Sequence, residues 1–143
     1  MLSVLLAVLL AAQPGLDRSL NIPRHWNVVH EEKAVSATSP DADALLQISI
    51  AEAPGLDAAA TAFFSTEGMK AERSWRSPIH GRIALWHRIR ARDGGGEVRG
   101  FAVFVADRGR VFQIVAVADA AVFRKYEEIL KAAVESFSPP PAK

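Results

Sequence analysis

The chain has 143 residues, of which 50% are hydrophobic and 23% are charged, and its formal net charge at pH 7 is +1. This length suits one domain, and the hydrophobic content excludes an intrinsically disordered chain. A net charge so close to zero excludes a nucleic-acid-binding protein that is basic over its whole surface. Cysteine is absent, which excludes disulfides, thiolate catalysis and cysteine-ligated metal centres.

The first segment, residues 2–12, reads LSVLLAVLLAA and is strongly hydrophobic. A helix of this length rises only about 16 Å, roughly half of the hydrocarbon core of a bilayer, so it does not predict a membrane span. The segment is typical of the apolar part of a secretory signal peptide, with Ala11 and Ala12 near the cleavage point. We interpret residues 1–12 as a signal peptide, which predicts a periplasmic or secreted protein. No Lys or Arg precedes the run, so the alternatives are a buried N-terminal helix in a cytoplasmic protein and a truncated start whose basic segment lies upstream.

From Leu16 onward, short alternating runs predict strands and two longer segments predict helices. The predicted helices are Leu56–Met69 and Ala120–Phe137, the second with Asp119 as its N-terminal cap. Glycine-containing turns join the last three strands, which favours antiparallel pairing. The predicted strands are Ser19–Ile22, Trp26–His30, Ala34–Ala37, Leu45–Ala51, Arg73–Arg76, Arg82–Arg92, Val98–Ala106 and Val111–Ala118.

The predicted strand Val98–Ala106 carries apolar residues on both of its faces, with Phe101 and Val103 on one and Phe104 on the other. A sheet that is apolar on both faces has to be covered on both. The sequence therefore predicts an α+β fold, a single-domain α/β/α sandwich with an antiparallel sheet and two main helices. Residues 16–138 form this domain, and residues 139–143 form a proline-rich tail.

Several short motifs occur in order between residues 18 and 138. They are Ile22-Pro23-Arg24-His25-Trp26, Leu45–Ala51 before Leu56-Asp57, Gly109-Arg110-Val111-Phe112, and a last helix with Phe123 near its start and Ser136-Phe137 at its end. In this order they resemble the superfamily that contains PsbP, Mog and DcrB, and also the module appended to secreted zinc metalloproteases. Members of that superfamily are accessory subunits, binding domains or chaperone-like proteins, so the resemblance implies a non-enzymatic module.

The four histidines are His25, His30, His80 and His87, and no pair has the helical spacing of a zinc site. His87 alternates with apolar residues, so we expect it to lie in the core with its polar atoms satisfied. His25 and His30 could meet a surface metal, although a solvated strand end is the commoner arrangement.

Other catalytic patterns are also missing from the sequence. There is no Gly-x-Ser-x-Gly nucleophile motif and no phosphate-binding loop. We therefore expect neither an enzyme nor a bound cofactor or metal. A small hydrolytic or ligand-binding enzyme stays an alternative, and it would require a pocket that holds His80 or His87 beside a carboxylate.

Charge is distributed unevenly along the chain. Residues 70–110 contain ten Lys or Arg and four acidic residues. Within this region we predict an exposed partner-binding face made of Trp75, Trp86, Arg88 and Arg90. Guanidinium and indole groups together bind carboxylates or phosphates through paired hydrogen bonds and cation–π contacts. The alternative is a strand end that projects into solvent and carries arginines without any binding role.

Together these features predict a non-enzymatic, exported accessory or binding module of the bacterial cell envelope. Its partner would be a protein or an anionic envelope component, with no nucleic acid and no stable membrane span. The alternative is a cytosolic chaperone-like module that binds an apolar helix of its partner. The sequence leaves the oligomeric state open.

Overall fold

The computed structural model describes residues 15–66, 69–93 and 95–140, so the predicted signal peptide lies outside the described residues. Seven strands form one antiparallel sheet in the order β1-β2-β3-β7-β6-β5-β4. Two helices, α1 (Leu56–Thr66) and α2 (Phe123–Glu135), complete the fold. The strands are β1 (Asn27–His30), β2 (Ala34–Thr38), β3 (Ala44–Ala51), β4 (Lys70–Arg76), β5 (Ala84–Asp93), β6 (Gly96–Asp107) and β7 (Arg110–Asp119).

The two helices cover opposite faces of the sheet. Strand β6 shows why both covers are needed, because Phe101 and Val103 pack on the α2 side while Ala102 and Phe104 pack on the α1 side. All four side chains are almost completely buried. The predicted α/β/α sandwich with an antiparallel sheet is therefore confirmed. None of the helices in the described part of the chain is long and apolar enough to cross a membrane.

Helix α2 is amphipathic, and its apolar stripe supplies most of the cover on its side. Leu130 and Val134 are fully buried there. Burying a side chain of this kind stabilises a fold by about 1.5–3 kcal/mol. Phe137, just beyond the helix, is also fully buried and packs against Phe112 with ring centroids 5.0 Å apart.

The segment before β1 differs from the prediction. Residues 19–22, predicted as a strand, form a bend at 19–20 and irregular backbone at 21–22, after a 3₁₀ turn at Leu16–Arg18. Their backbone groups bond to the C-terminal segment instead of a neighbouring strand. The Ser138 amide donates to the Ser19 carbonyl (2.9 Å), and the Asn21 amide donates to Ser136 Oγ (2.8 Å). The predicted strand is wrong because its hydrogen-bonding groups are already used in this way.

The two ends of the described chain therefore meet. Beyond Ser138, Pro140 is buried, and its carbonyl accepts a hydrogen bond from Arg110 Nη2 at 3.2 Å. The packed part of the chain thus extends past residue 138, into the segment predicted as a tail.

Three element boundaries also differ from the sequence prediction. Strand β4 begins at Lys70, three residues earlier than predicted. Strand β5 begins at Ala84, two residues later than predicted, and Ile83, which the predicted strand contained, is 60% exposed. The last helix opens with a separate 3₁₀ turn at Ala120–Val122, and the Asp119 side chain makes no capping hydrogen bond.

One glycine marks a close approach in the middle of the sheet. Gly100 in β6 pairs with Val117 in β7. A Cβ atom added at Gly100 would lie 1.9 Å from the carbonyl oxygen of Ala116. Only glycine fits between these two backbones, since carbon and oxygen atoms in contact normally lie about 3.3 Å or more apart.

Candidate functional site

The four residues predicted as a binding face lie on the α2 side of the sheet. Trp75 in β4 pairs with Trp86 in β5, and Arg88 and Arg90 follow Trp86 at alternate positions. The sequence therefore placed all four on the same side of their strands.

Trp86 nevertheless belongs to the core. It is 2% exposed, its ring is stacked on Trp75 at 5.8 Å, and its Nε1 donates to the Ser77 carbonyl at 3.0 Å. The predicted exposure of Trp86 is wrong because this part of β5 lies inside the packed layer, where the ring also contacts Phe101 edge-on. Trp75 is half-buried above it. A partner could touch Trp75 but not Trp86.

Beyond the tryptophans, six cationic side chains cluster at one end of β4, β5 and β6. The strand register places Lys70, Arg90 and Arg99 directly opposite one another in a row across the three strands. Like charges at directly opposite positions destabilise a sheet. We call this cluster the arginine face: Lys70, Arg73, Arg88, Arg90, Arg92 and Arg99.

Three glutamates offset part of this charge. Glu72 lies 3.0 Å from Arg90 and 3.8 Å from Arg99. Glu97 contacts Arg90 and Arg92 at 3.8 and 3.9 Å, and Glu127 on α2 lies 3.0 Å from Arg88. Solvent screens these pairs, so each contributes about 0–1 kcal/mol.

The remaining cations of the arginine face are Lys70 and Arg73. Among the described residues, Lys70 and Arg73 form no ion pair, and the Arg73 guanidinium lies 5.3 Å from the centre of the Trp75 ring. Six cations against three glutamates leave the arginine face with an excess of positive charge.

A small recess lies within the arginine face. It has a volume of about 350 Å³ and is lined by Lys70, Arg90, Ala91, Arg92 and Glu97. Three of these five residues are cationic. Such a recess can hold a single anionic group between several nitrogen donors, which is how guanidinium groups bind carboxylates and phosphates.

A second candidate site lies on the opposite side of the sheet, around His87. As predicted, the ring is buried: it is 9% exposed and contacts Phe64 and Phe104 edge-on, with centroids 4.9 and 5.8 Å away. The prediction that its polar atoms are satisfied is wrong. Neither ring nitrogen has a hydrogen-bond partner within residues 15–66, 69–93 and 95–140.

Two consequences follow for the His87 imidazole. Burial lowers its pKa, because the charged ring would lose its hydration without gaining a partner. Each buried polar group that stays unpaired costs about 1–3 kcal/mol of folding free energy. A group that is kept at this cost is a candidate for contact with a ligand.

The His87 cavity is a groove of about 670 Å³ between α1 and strands β4 and β5. Its lining is apolar around the histidine, with hydroxyl groups along the wall and one charged residue near each end of α1. The lining residues are Asp57, Ala60, Thr61, Phe64, Ser65, Met69, Lys70, Ala71, Ser74, Leu85 and His87.

Among the residues that the structure describes, the acid–base pair that the enzyme alternative requires does not form in this cavity. Its carboxylate, Asp57, lies 3.6 Å from Arg76, and His87 has no hydrogen-bond partner among the described residues. His80 lies elsewhere, where its Nδ1 donates to the Phe137 carbonyl at 2.8 Å. His25 and His30 are both exposed, and the described part of the chain contains no group of three potential metal ligands.

A third polar cluster surrounds Asp41 in the turn between β2 and β3. Its carboxylate accepts hydrogen bonds from the Ser39 hydroxyl (2.6 Å), the Tyr126 hydroxyl (2.8 Å) and the Asp43 amide (3.1 Å). These donors hold the pKa of Asp41 well below its usual range. The cluster fastens the turn to α2 and so has a structural explanation.

No protein-family model matches the chain, and no curated protein sequence matches it. Solved structures do show similar folds. PA94 of Pseudomonas aeruginosa, a protein of unknown function, superposes with a TM-score of 0.61 at 23% identity and covers 86% of this chain and 92% of its own. The cyanobacterial PsbP protein of Synechocystis, CyanoP, superposes with a TM-score of 0.66 at 14% identity over 85% of both chains.

A third similar structure comes from Bacteroides thetaiotaomicron, with a TM-score of 0.55 and 14% identity. It matches 82% of this chain but only 41% of its own length. The three likenesses agree on the architecture, and the protein therefore has a PsbP-like fold. At these identities they define the fold alone.

Proposed function

We propose that this protein is a non-enzymatic binding module that recognises an acidic segment of a partner protein through its arginine face. The observation that carries the proposal is the row Lys70, Arg90 and Arg99, held in register across three strands. Sheet stability alone disfavours such a row. An anionic partner would relieve this repulsion by supplying the missing negative charge.

The contacts within the arginine face favour carboxylates as the anionic groups. Glu72 and Glu97 already occupy positions between the guanidinium groups, with nitrogen–oxygen distances from 3.0 Å. The recess beside them is concave and small, which suits one side chain of a peptide better than a flat membrane surface. Trp75 lies next to Arg73 and offers an apolar contact at the border.

The proposal is tested by binding of a poly-glutamate peptide to the purified protein at low ionic strength. In the triple variant Lys70→Gln, Arg73→Gln, Arg92→Gln the affinity should fall roughly tenfold or more, since several interfacial charges are lost together. Within the described part of the chain, Arg92 is the one of these residues that takes part in an ion pair, a weak one at 3.9 Å, so the fold should persist. Raising the salt concentration should weaken wild-type binding more than variant binding.

The matched control removes the same charge elsewhere. Three exposed arginines lie outside the arginine face, namely Arg18, Arg24 and Arg124. Their triple replacement by Gln removes the same net charge, and it should leave the peptide affinity within about twofold of the wild-type value. Equal losses in both triple variants would contradict a specific surface. Binding to anionic lipid vesicles but not to the peptide would contradict a protein partner and indicate a membrane surface.

We further propose that the protein is exported and acts in the cell envelope. The hydrophobic run at residues 2–12, which is typical of the apolar part of a signal peptide, supports this placement. The test is the mass of the mature protein recovered from each compartment of its host. A chain that begins near Gln13 outside the cytoplasm is the expected result. An intact Met1 in the cytosol would contradict export and favour the chaperone-like alternative.

A further inference from the structure

The His87 cavity lies on the α1 side of the sheet, opposite the arginine face, and among the described residues the two sites share Lys70. His87 pairs with Ser74 in β4 and Ala102 in β6, and its ring points towards α1. The ring forms part of the cavity wall together with Phe64 and Leu85.

The chemistry of the ring defines what it can bind. Burial favours the neutral imidazole, which carries one N–H donor and one nitrogen acceptor. Both are unpaired among the described residues. A complementary group must therefore be neutral and able to donate or accept a hydrogen bond, and a hydroxyl group does both.

The surroundings exclude two other classes of ligand. A carboxylate beside His87 would be buried among Phe64, Leu85 and Met69, whereas Lys70, the cation in the described lining, is exposed to solvent, so burying that charge is costly. A metal ion would need further ligands, and the described residues hold no group of three.

We propose that the His87 cavity is a binding site for a neutral, hydroxyl-bearing apolar molecule, with a phenol as the best-fitting type. Its hydroxyl group bonds to an imidazole nitrogen of His87, and its apolar body contacts Leu85 and Met69. An aromatic ring would also meet the edge of Phe64. The volume of about 670 Å³ accommodates a substituted phenol, with the hydroxyl groups of Thr61 and Ser65 at its outer side.

Access to the nitrogens depends on one side chain. Neither nitrogen has accessible surface while Phe64 covers the ring. Phe64 is only half-buried and itself lines the cavity. A rotation of Phe64 would therefore expose the His87 nitrogens to the cavity.

The test uses three probes of nearly equal size, namely para-propylphenol, its methyl ether and propylbenzene, with affinities measured by calorimetry. In the wild type the phenol should bind about tenfold more tightly than the other two, the ratio that one net hydrogen bond provides. In His87→Phe, which keeps an aromatic ring but loses both nitrogens, the three affinities should be equal. In His87→Gln, which retains a donor and an acceptor, part of the preference should return.

Nitrogen NMR of the histidine side chains provides a readout that needs no stable variant. Addition of para-propylphenol to the wild type should shift the His87 nitrogen resonances and leave those of exposed His25 and His30 unchanged. The proposal is overturned if the phenol and its ether bind equally, if no probe binds, or if saturating phenol leaves His87 unshifted. Because Arg73 and Arg92 do not line the His87 cavity, the double variant Arg73→Gln, Arg92→Gln should bind all three probes like the wild type.

Discussion

Gly100→Ala is expected to be among the most damaging single substitutions in this sheet. The added methyl group would lie 1.9 Å from the Ala116 carbonyl oxygen and 2.7 Å from the Val117 Cα atom. A carbon–oxygen contact needs about 3.3 Å, so β6 and β7 would have to separate by roughly 1.4 Å at this point. Both partners are backbone atoms of a central strand pair, which cannot rotate away as a side chain could.

The magnitude follows from what such a separation disrupts. It stretches the ladder hydrogen bonds next to Gly100, each worth about 1 kcal/mol net. It also displaces the tightly packed neighbours Phe101 and Ala102, and strain of this kind costs about 1–3 kcal/mol. Together the loss should be about 3–5 kcal/mol, or a fall in Tm of about 10–20 °C for a domain of this size.

The assay is urea and thermal unfolding followed by circular dichroism, with Gly55→Ala as the control. Gly55 has no heavy atom within 4 Å of an added Cβ atom, so its replacement should change the free energy of unfolding by no more than about 0.5 kcal/mol. If Gly100→Ala also lies within about 1 kcal/mol of the wild type, the close approach of the two strands does not constrain residue 100 and the reasoning fails.

Three further outcomes are expected. The pKa of Asp41 is lowered, so the contribution of its carboxylate to stability is present at neutral pH and is lost as the pH falls below the ordinary aspartate pKa, about 3.9. The urea midpoints of the wild type and of Asp41→Asn should therefore converge in acid. Urea midpoints that differ by the same amount at every pH would contradict this prediction. The pKa of His87 is lowered from 6.5 by burial, so the wild type should lose stability relative to His87→Phe as pH falls below 6.5; a constant difference would show that the ring does not titrate on unfolding. Phe137→Ala should cost about 3–5 kcal/mol in the same assay, because the ring is fully buried against Phe112; a loss below about 1 kcal/mol would mean that the site collapses around the smaller side chain.

The α/β/α sandwich could be predicted because the sequence of strand β6 by itself indicates which faces of the sheet are buried. Alternate residues such as Phe101 and Phe104 point to opposite sides, so an apolar run on both sides signals two covers. The irregular segment at residues 19–22 could not be predicted in this way. Its hydrogen-bond partners, Ser136 and Ser138, lie more than a hundred residues further along the chain.

The binding surfaces were only partly predictable for a similar reason. Alternation placed Trp86 and Arg88 on the same side of β5, but how far the packed layer extends along the strand decides that Trp86 is buried and Arg88 is partly exposed. The row of cations depends on β4 beginning at Lys70 and on the irregularity between Ala71 and Arg73. Neither feature has a sequence signal.

The unpaired nitrogens of His87 lay equally beyond sequence reasoning. The pattern of β5 places the ring on the α1 side, yet what it meets there comes from α1, a different element. Phe64 occupies the nearest position and offers an aromatic edge instead of a hydrogen-bonding group. A polar residue in its place would have satisfied the ring.

The contact between the two ends of the described chain determines how the molecule can be displayed. Gly15 and Pro140 lie side by side, since a Cβ atom on Gly15 would be 3.2 Å from Pro140, and Arg110 holds Pro140 near the β6–β7 turn. Arg99 lies at the opposite end of β6 from Asp107, a distance of about 26 Å along the strand. A tether attached at either end would therefore leave from the same pole and point the arginine face outward, away from whatever anchors it.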